Sequence, residues 1–157
     1  MRKRRHGTGR GLATPAVVFV DSSAWIALFS ARDRHHPEVE RAFHLAVAAA
    51  GAVRFVTTSL VLSEVHRFQL FHSGIAAAAR ALEAIDASRL VQVAFPTAQH
   101  HAAARRWLAK LKDQPISYVD AVSFAFMEGE RMRSALTLDH DDFTIAGFDL
   151  WHHTATT

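Results

Sequence analysis

Four carboxylates stand where a soluble chain has little structural use for them. Asp21 ends the apolar run Ala16–Val20, and Asp139 directly follows a second run, Ala135–Leu138. Asp120 is the only charge in Tyr-Val-Asp-Ala-Val-Ser-Phe-Ala-Phe-Met, residues 118–127. On a helix starting at Ser59, steps of about 100° put Glu64 inside the arc of Leu60, Val61, Val65, Phe68 and Phe71. An ordinary solvent-facing glutamate would sit with Ser63 and His66. A carboxylate on a buried stripe is costly unless it is paired, protonated or bound to a metal. Acids brought together repel one another and their pKa values rise; a divalent cation removes that conflict. Donors made only of carboxylate oxygens suit Mg2+ or Mn2+ rather than zinc. Cations held this way can polarise a bound oxygen and acidify a bound water.

Three of the four acids also have a capping explanation. Asp21 can be the N-cap of the helix that follows it, and Ser117 with Asp120 has the spacing of a capping box. Asp139 can cap a short turn after its strand. Glu64 has no such role, and it is the joint arrangement that favours a metal site.

The elements that must position these acids alternate. Strands are expected at Ala16–Val20, Arg54–Thr57, Leu90–Phe95, Ala135–Leu138 and Phe148–His152. Helices are expected over Ser22–Ser30, Pro37–Ala50, Ser59–His72, Ile75–Ala87, Thr97–Lys112 and Ser117–Arg131. Short apolar strands between helices predict an α/β domain around a mainly parallel sheet of about five strands. In such sheets functional groups collect beyond the carboxyl ends of the strands, where Asp21 and Asp139 fall.

A chain of 157 residues suits one domain, with roughly 70% of the unfolded surface buried. Residues 1–15 carry Arg2, Lys3, Arg4, Arg5 and Arg10 and no acid, which leaves 13 basic against 15 acidic residues, a net of −2, in the remainder. The basicity therefore belongs to a tail at 1–15, expected to be disordered, ahead of a single domain at 16–157. Such a tail can attract nucleic acid. The run Ala16–Val20 is too short for a signal peptide, and no stretch approaches the roughly 18 apolar residues of a membrane span. With no cysteine there is neither disulfide nor thiolate site, which fits a cytoplasmic protein without membrane contact.

Other chemistry is poorly supported. The histidine pairs His35-His36, His100-His101 and His152-His153 are adjacent, so their side chains diverge, and no His-Glu-x-x-His is present. His100 shares an arc with Trp107 and Leu111 and reads as a partly buried residue; His140 sits among the last acids. Candidate phosphate contacts are Arg32, Arg34, Arg67, Arg105, Arg106, Lys110 and Lys112, with Arg131 and Arg133 before the fourth strand.

The segments Val-Asp-Ser-Ser-Ala-Trp-Ile-Ala-Leu (20–28), Ser-Glu-Val (63–65), Ser-Tyr-Val-Asp-Ala-Val-Ser (117–123) and Leu-Thr-Leu-Asp-His-Asp-Asp-Phe (136–143) resemble, in order, the motifs of the PIN domain. The likeness runs from Val17 to Trp151 and is strongest to VapC-type toxins of toxin–antitoxin pairs. It implies a three-layer fold, endoribonuclease activity with Mg2+ or Mn2+, inhibition by a cognate antitoxin, and a homodimer. The family's acids fall on Asp21, Glu64, Asp120 and Asp139. Its first-motif hydroxyl falls on Ser22 or Ser23, and the one before the last acid on Thr137. Because both His140 and Asp141 precede Asp142-Phe143, the auxiliary acid is Asp141 or Asp142. Two other readings remain: an inactive binding or regulatory subunit, and a Mg2+-dependent phosphatase-like enzyme. The second is weakened because Ser23 stands where such phosphatases place a second aspartate.

Overall fold

A computed structural model describes residues 14–151. The expected tail at 1–15, apart from Thr14 and Pro15, lies outside the described residues, as do His152 and His153. In chain order the elements are β1 (Ala16–Val20), α1 (Ser22–Phe29), α2 (His36–Ala48), β2 (Val53–Thr58), α3 (Ser59–Ser73), α4 (Ile75–Ala87), β3 (Val91–Ala94), α5 (Ala98–Lys110), α6 (Tyr118–Gly129), β4 (Ser134–Leu136), α7 (His140–Ile145) and β5 (Asp149–Leu150).

The five strands form one sheet in the order β3-β2-β1-β4-β5, and every pairing is parallel. β1 is central, with Val18, Phe19 and Val20 all fully buried, as expected of a strand covered on both faces. Its register sets Phe19 beside Val56 and Val18 beside Phe55. Phe19 and Phe55 therefore point to opposite faces, because side chains alternate along a strand. Phe55 packs under Phe43 of α2 and against Trp151, while Phe19 meets Phe126 of α6. On that second side Phe124 is flanked by Trp107, Phe143 and Phe148. Helices cover both faces, giving the expected three layers.

The chain moves from β1 outward to β2 and β3, then returns to add β4 and β5 on the other side of β1. The winding reverses between β1 and β4, which opens a crevice at their carboxyl ends. The backbone N–H of Asp21 still donates to Leu136 O at 3.0 Å, so the ladder holds Asp21 at the rim of that crevice. Thr57 ties the neighbouring elements together: its hydroxyl donates to Val20 O at 2.9 Å and accepts from Trp25 Nε1 at 3.2 Å.

Two expectations need correction. A helix, α7, stands where a short turn after Asp139 was expected. The buried stripe of α3 runs through Val61, Val65 and Gln69, whereas Phe71 is 72% exposed. The predicted arc is thus rotated: Glu64 lies at the margin of the core, not within it. Smaller shifts affect helix ends, since α5 stops before Lys112 and α6 stops at Gly129.

Candidate active site

Asp21 is wholly buried and is the N-cap of α1, accepting from Ser23 N at 3.4 Å. The same oxygen, Oδ2, accepts from the Ser23 hydroxyl at 2.8 Å and from the Thr137 hydroxyl at 3.1 Å. Those hydroxyls are fixed from behind. Leu138 N donates to Ser23 Oγ at 2.9 Å, and Asp139 N donates to Thr137 Oγ1 at 3.0 Å. One carboxylate oxygen is thereby saturated. The other, Oδ1, is buried with no hydrogen-bond partner. Capping and a ligand role are compatible here, because they use different oxygens.

The other acids come from separate elements. Glu64 extends from α3, which is started by Thr58: its hydroxyl accepts from Val61 N at 3.3 Å. Asp120 lies in the first turn of α6 and completes the capping box foreseen from Ser117. Its Oδ2 accepts from Ser117 N at 3.0 Å and from Ser117 Oγ at 2.7 Å, while Asp120 N donates to Ser117 Oγ at 3.0 Å. Asp139 precedes α7 and makes no side-chain cap.

Electrostatics couple these separate acids to one another. Burial raises the Asp21 pKa to about 7, helped by the charges of Asp120 and Asp139 and opposed by the Ser23 hydroxyl. Burial also raises Glu64 and Asp139, and Asp120 adds to both shifts; the Ser22 hydroxyl partly offsets the rise at Glu64. Asp142 is raised by burial and then by the charges of Asp120, Asp139 and Asp141. Mutual repulsion across β1, α3, α6 and α7 is what the sequence anticipates for converging acids. The convergence stops short of a closed shell: among the described residues, no three His, Asp or Glu side chains are set to hold one ion. Asp120 is turned back onto Ser117.

The bare oxygen of Asp21 and the raised pKa values fit a hard divalent cation, and the all-oxygen donor set fits it as well. Asp21, Glu64, Asp120 and Asp139 are the residues that could hold one. His140, the remaining polar neighbour, faces an open cleft with Leu138, Asp139, Asp141 and Asp142.

The basic residues divide. Arg67 lines a groove with Ser22, Ile26, Glu64, Phe68, Phe71 and His72, and its guanidinium lies over Phe71 at 5.5 Å. Arg32 and Arg34 are exposed in the turn between α1 and α2, and Arg105 and Arg106 are exposed on α5. Lys112 is exposed beyond the end of α5. Lys110 folds over Trp107 at 4.7 Å and lines a different cleft, with Arg131 and Arg133. His100 is structural, as expected: its Nδ1 accepts from Thr97 N at 2.9 Å and its ring meets Phe126 edge-on. The sequence reading missed Thr57, whose buried hydroxyl anchors α1. Its signal was a threonine closing an apolar strand.

A parallel α/β sheet with a buried aspartate at its switch point and further acids around it fits a PIN-type architecture, and the sequence matches the PIN domain over residues 18–148. The chain belongs to the PIN-domain family. Among its relatives is the 23S rRNA-specific endonuclease VapC20 of Mycobacterium tuberculosis, 34% identical over 132 residues, or 84% of this chain and 95% of VapC20. The crystal structure of that protein, described as a sarcin–ricin loop cleaving toxin, superposes with a TM-score of 0.72 over 83% of this chain and 95% of its own. VapBC-1 from nontypeable Haemophilus influenzae shares the fold, with a TM-score of 0.62, 19% identity, and coverage of 86% of this chain and 96% of that one. VapBC2 from Rickettsia felis, bound to a promoter DNA fragment, gives 0.65 at 13% identity over 86% of this chain and 97% of that one.

Proposed function

We propose that the chain is an endoribonuclease, the toxin of a toxin–antitoxin pair, which hydrolyses RNA phosphodiester bonds with Mg2+ or Mn2+. The observation that carries this reading is the asymmetry at Asp21: one oxygen fully bonded, the other buried and bare, with further acids close enough to raise its pKa. The cation would be held by Asp21, Glu64, Asp120 and Asp139. When bound, it supplies charge neutralisation at a non-bridging phosphate oxygen and lowers the pKa of water toward neutrality.

The chain's own residues do the rest. Ser23 and Thr137 fix the Asp21 carboxylate through Oδ2 and leave Oδ1 without a hydrogen-bond partner. Ser22, beside Glu64, steadies that side chain. Asp142, half-buried where Asp141 is exposed in the same cleft, is the auxiliary acid of this reading. Its raised proton affinity suits a group that takes a proton near the attacked phosphorus. Arg67, in the groove with Glu64, sits where it can meet a phosphate next to the scissile one. Residues 16–157 act as one nuclease domain.

A cognate antitoxin belongs to the same reading, by analogy with the VapBC proteins that share the fold. A homodimer and a cytoplasmic setting are part of the same reading. No helix among the described residues is long and apolar enough to cross a membrane. The test is incubation of the purified chain with total RNA, with and without Mg2+ or Mn2+, beside Asp120→Asn. Discrete metal-dependent cuts that the variant loses are expected. Equal cutting by the variant would contradict the proposal.

A further inference from the structure

Several cations that the acid centre does not use gather at the opposite end of the sheet. Arg131 and Arg133 precede β4 and Asp139 follows it, so Arg133 and Asp139 are separated by roughly 20 Å of near-extended chain. Arg54 of β2 joins Arg131 and Arg133 around a cleft of about 450 Å³, beside Gln92 of β3. A neighbouring cleft of about 520 Å³ shares the latter two arginines and adds Lys110. All four cations are exposed, and among the described residues none is ion-paired with a carboxylate. Glu130 and Glu128 line one cleft each, but Glu128 already accepts from Trp107 Nε1 at 3.2 Å. β1 also begins at this end, and the chain upstream of Thr14 carries Arg2, Lys3, Arg4, Arg5 and Arg10 without an acid.

The backbone supplies an independent observation. Helix α6 ends in a reversing turn in which Met132 N bonds to Met127 O at 2.8 Å and Arg131 N to Glu128 O at 3.2 Å. That pattern places its fifth residue in the left-handed region, where glycine is the usual occupant. Arg131 occupies it with φ 56°. Elsewhere the chain meets positive φ with Gly51, Gly74 and Gly147, and otherwise only with Ala50 among the described residues. Strain held at a charged, exposed position points to a use for the side chain. A cation near a helix C-terminus gains something from the macrodipole, and stability measurements separate that effect from a binding role.

We propose that this end of the sheet is a second phosphate-binding surface, which grips the backbone of a folded RNA away from the scissile bond. The choice of RNA rests on the reading of the acid centre above. Arginine and lysine heads around these clefts point to contact with phosphates, which does not depend on base sequence.

The test measures binding in EDTA, where cutting is not expected, with a folded ribosomal RNA fragment, a duplex DNA of equal charge and a trinucleotide. Arg131→Gly and the pair Arg54→Ser with Arg133→Ser should weaken folded-RNA binding, the pair by about tenfold or more, and should flatten the salt dependence by about one unit of slope per lost phosphate contact. Arg131→Gly should melt no lower than wild type, and both variants should cut the trinucleotide at the wild-type rate in Mn2+. Unchanged folded-RNA affinity and slope in both variants would overturn the proposal. So would a lower melting temperature for Arg131→Gly with binding intact, which is the dipole effect alone. An equal loss on duplex DNA would overturn the assignment to RNA. If wild type fails to cut any RNA, the acid-centre reading fails, yet binding in EDTA still decides this one.

Discussion

The two ends of the sheet solve opposite problems with the same kind of device. At the carboxyl end a carboxylate is buried at a cost, and hydroxyls from α1 and the β4 end orient it while leaving one oxygen bare. At the amino end an arginine is exposed, and the cost lies in its backbone. In both places the local fold would be easier to form with another residue, asparagine at 21 or glycine at 131. The lesson is that strain and desolvation locate chemistry better than residue type does. The chain has 15 acidic residues, but only Asp21 combines complete burial with a carboxylate.

The largest effect that would sharpen this contrast is at Asp21. Asp21→Asn should lower RNA cleavage by well over about 100-fold, more than the 10–100-fold typical of groups that merely orient a metal ligand. Ser23→Ala and Thr137→Ala fall into that orienting class, so each should lose about 10–100-fold in Mn2+ affinity or cleavage. A loss in Ser23→Ala equal to that of Asp21→Asn would erase the distinction between holding and orienting. Smaller again is the split within α7: Asp142→Asn should cost about tenfold and Asp141→Asn less than about twofold, measured as initial cleavage rates. Reversal of that order would assign the auxiliary acid to Asp141.

The pH dependence follows from Asp21. Its pKa stands at about 7 in the metal-free protein, so a proton competes with the cation below that value. Mn2+ affinity should climb up to about tenfold per pH unit below about pH 7 and level off above it, because binding releases a proton. Isothermal titration at about pH 6 and about pH 8 measures this. Equal affinities at the two would break the link between Asp21 burial and metal binding.

Much of the scaffold was legible in the sequence because β-branched runs and helix-period stripes carry strong signals. The sequence-derived bounds of β1 and α4 coincide with the structure. Helix α7 was not legible: six residues are too few for a period to emerge, although Asp141 and Asp142 in its first turn are what a helix N-terminus favours. Glu64 was found for a partly mistaken reason. A helical wheel cannot tell a buried apolar arc from an exposed one, and here Phe71 is exposed while Gln69 is buried. The hydroxyl support of Asp21 was visible only as residue types. Its division between two carboxylate oxygens is a three-dimensional fact, since Ser23 and Thr137 lie 114 positions apart. That Lys110 lines a cleft with Arg131 and Arg133 was not legible either, because helical spacing says nothing about what a helix face meets.

The central claim is that the acid cluster is stable in its ionised form only with a cation present, and melting temperature measures it directly. A carboxyl whose folded pKa is raised contributes stability as the protonated acid. That contribution is present below the unfolded value of 3.8 and is lost as pH rises through about 7. Near pH 8 in EDTA, Asp21→Asn should therefore melt above wild type, by roughly 5–10 °C for a few kcal/mol. Saturating Mn2+ should raise wild type and leave the variant unchanged. A wild-type protein that melts at the same temperature with and without Mn2+, and no lower than Asp21→Asn in EDTA, would contradict the account.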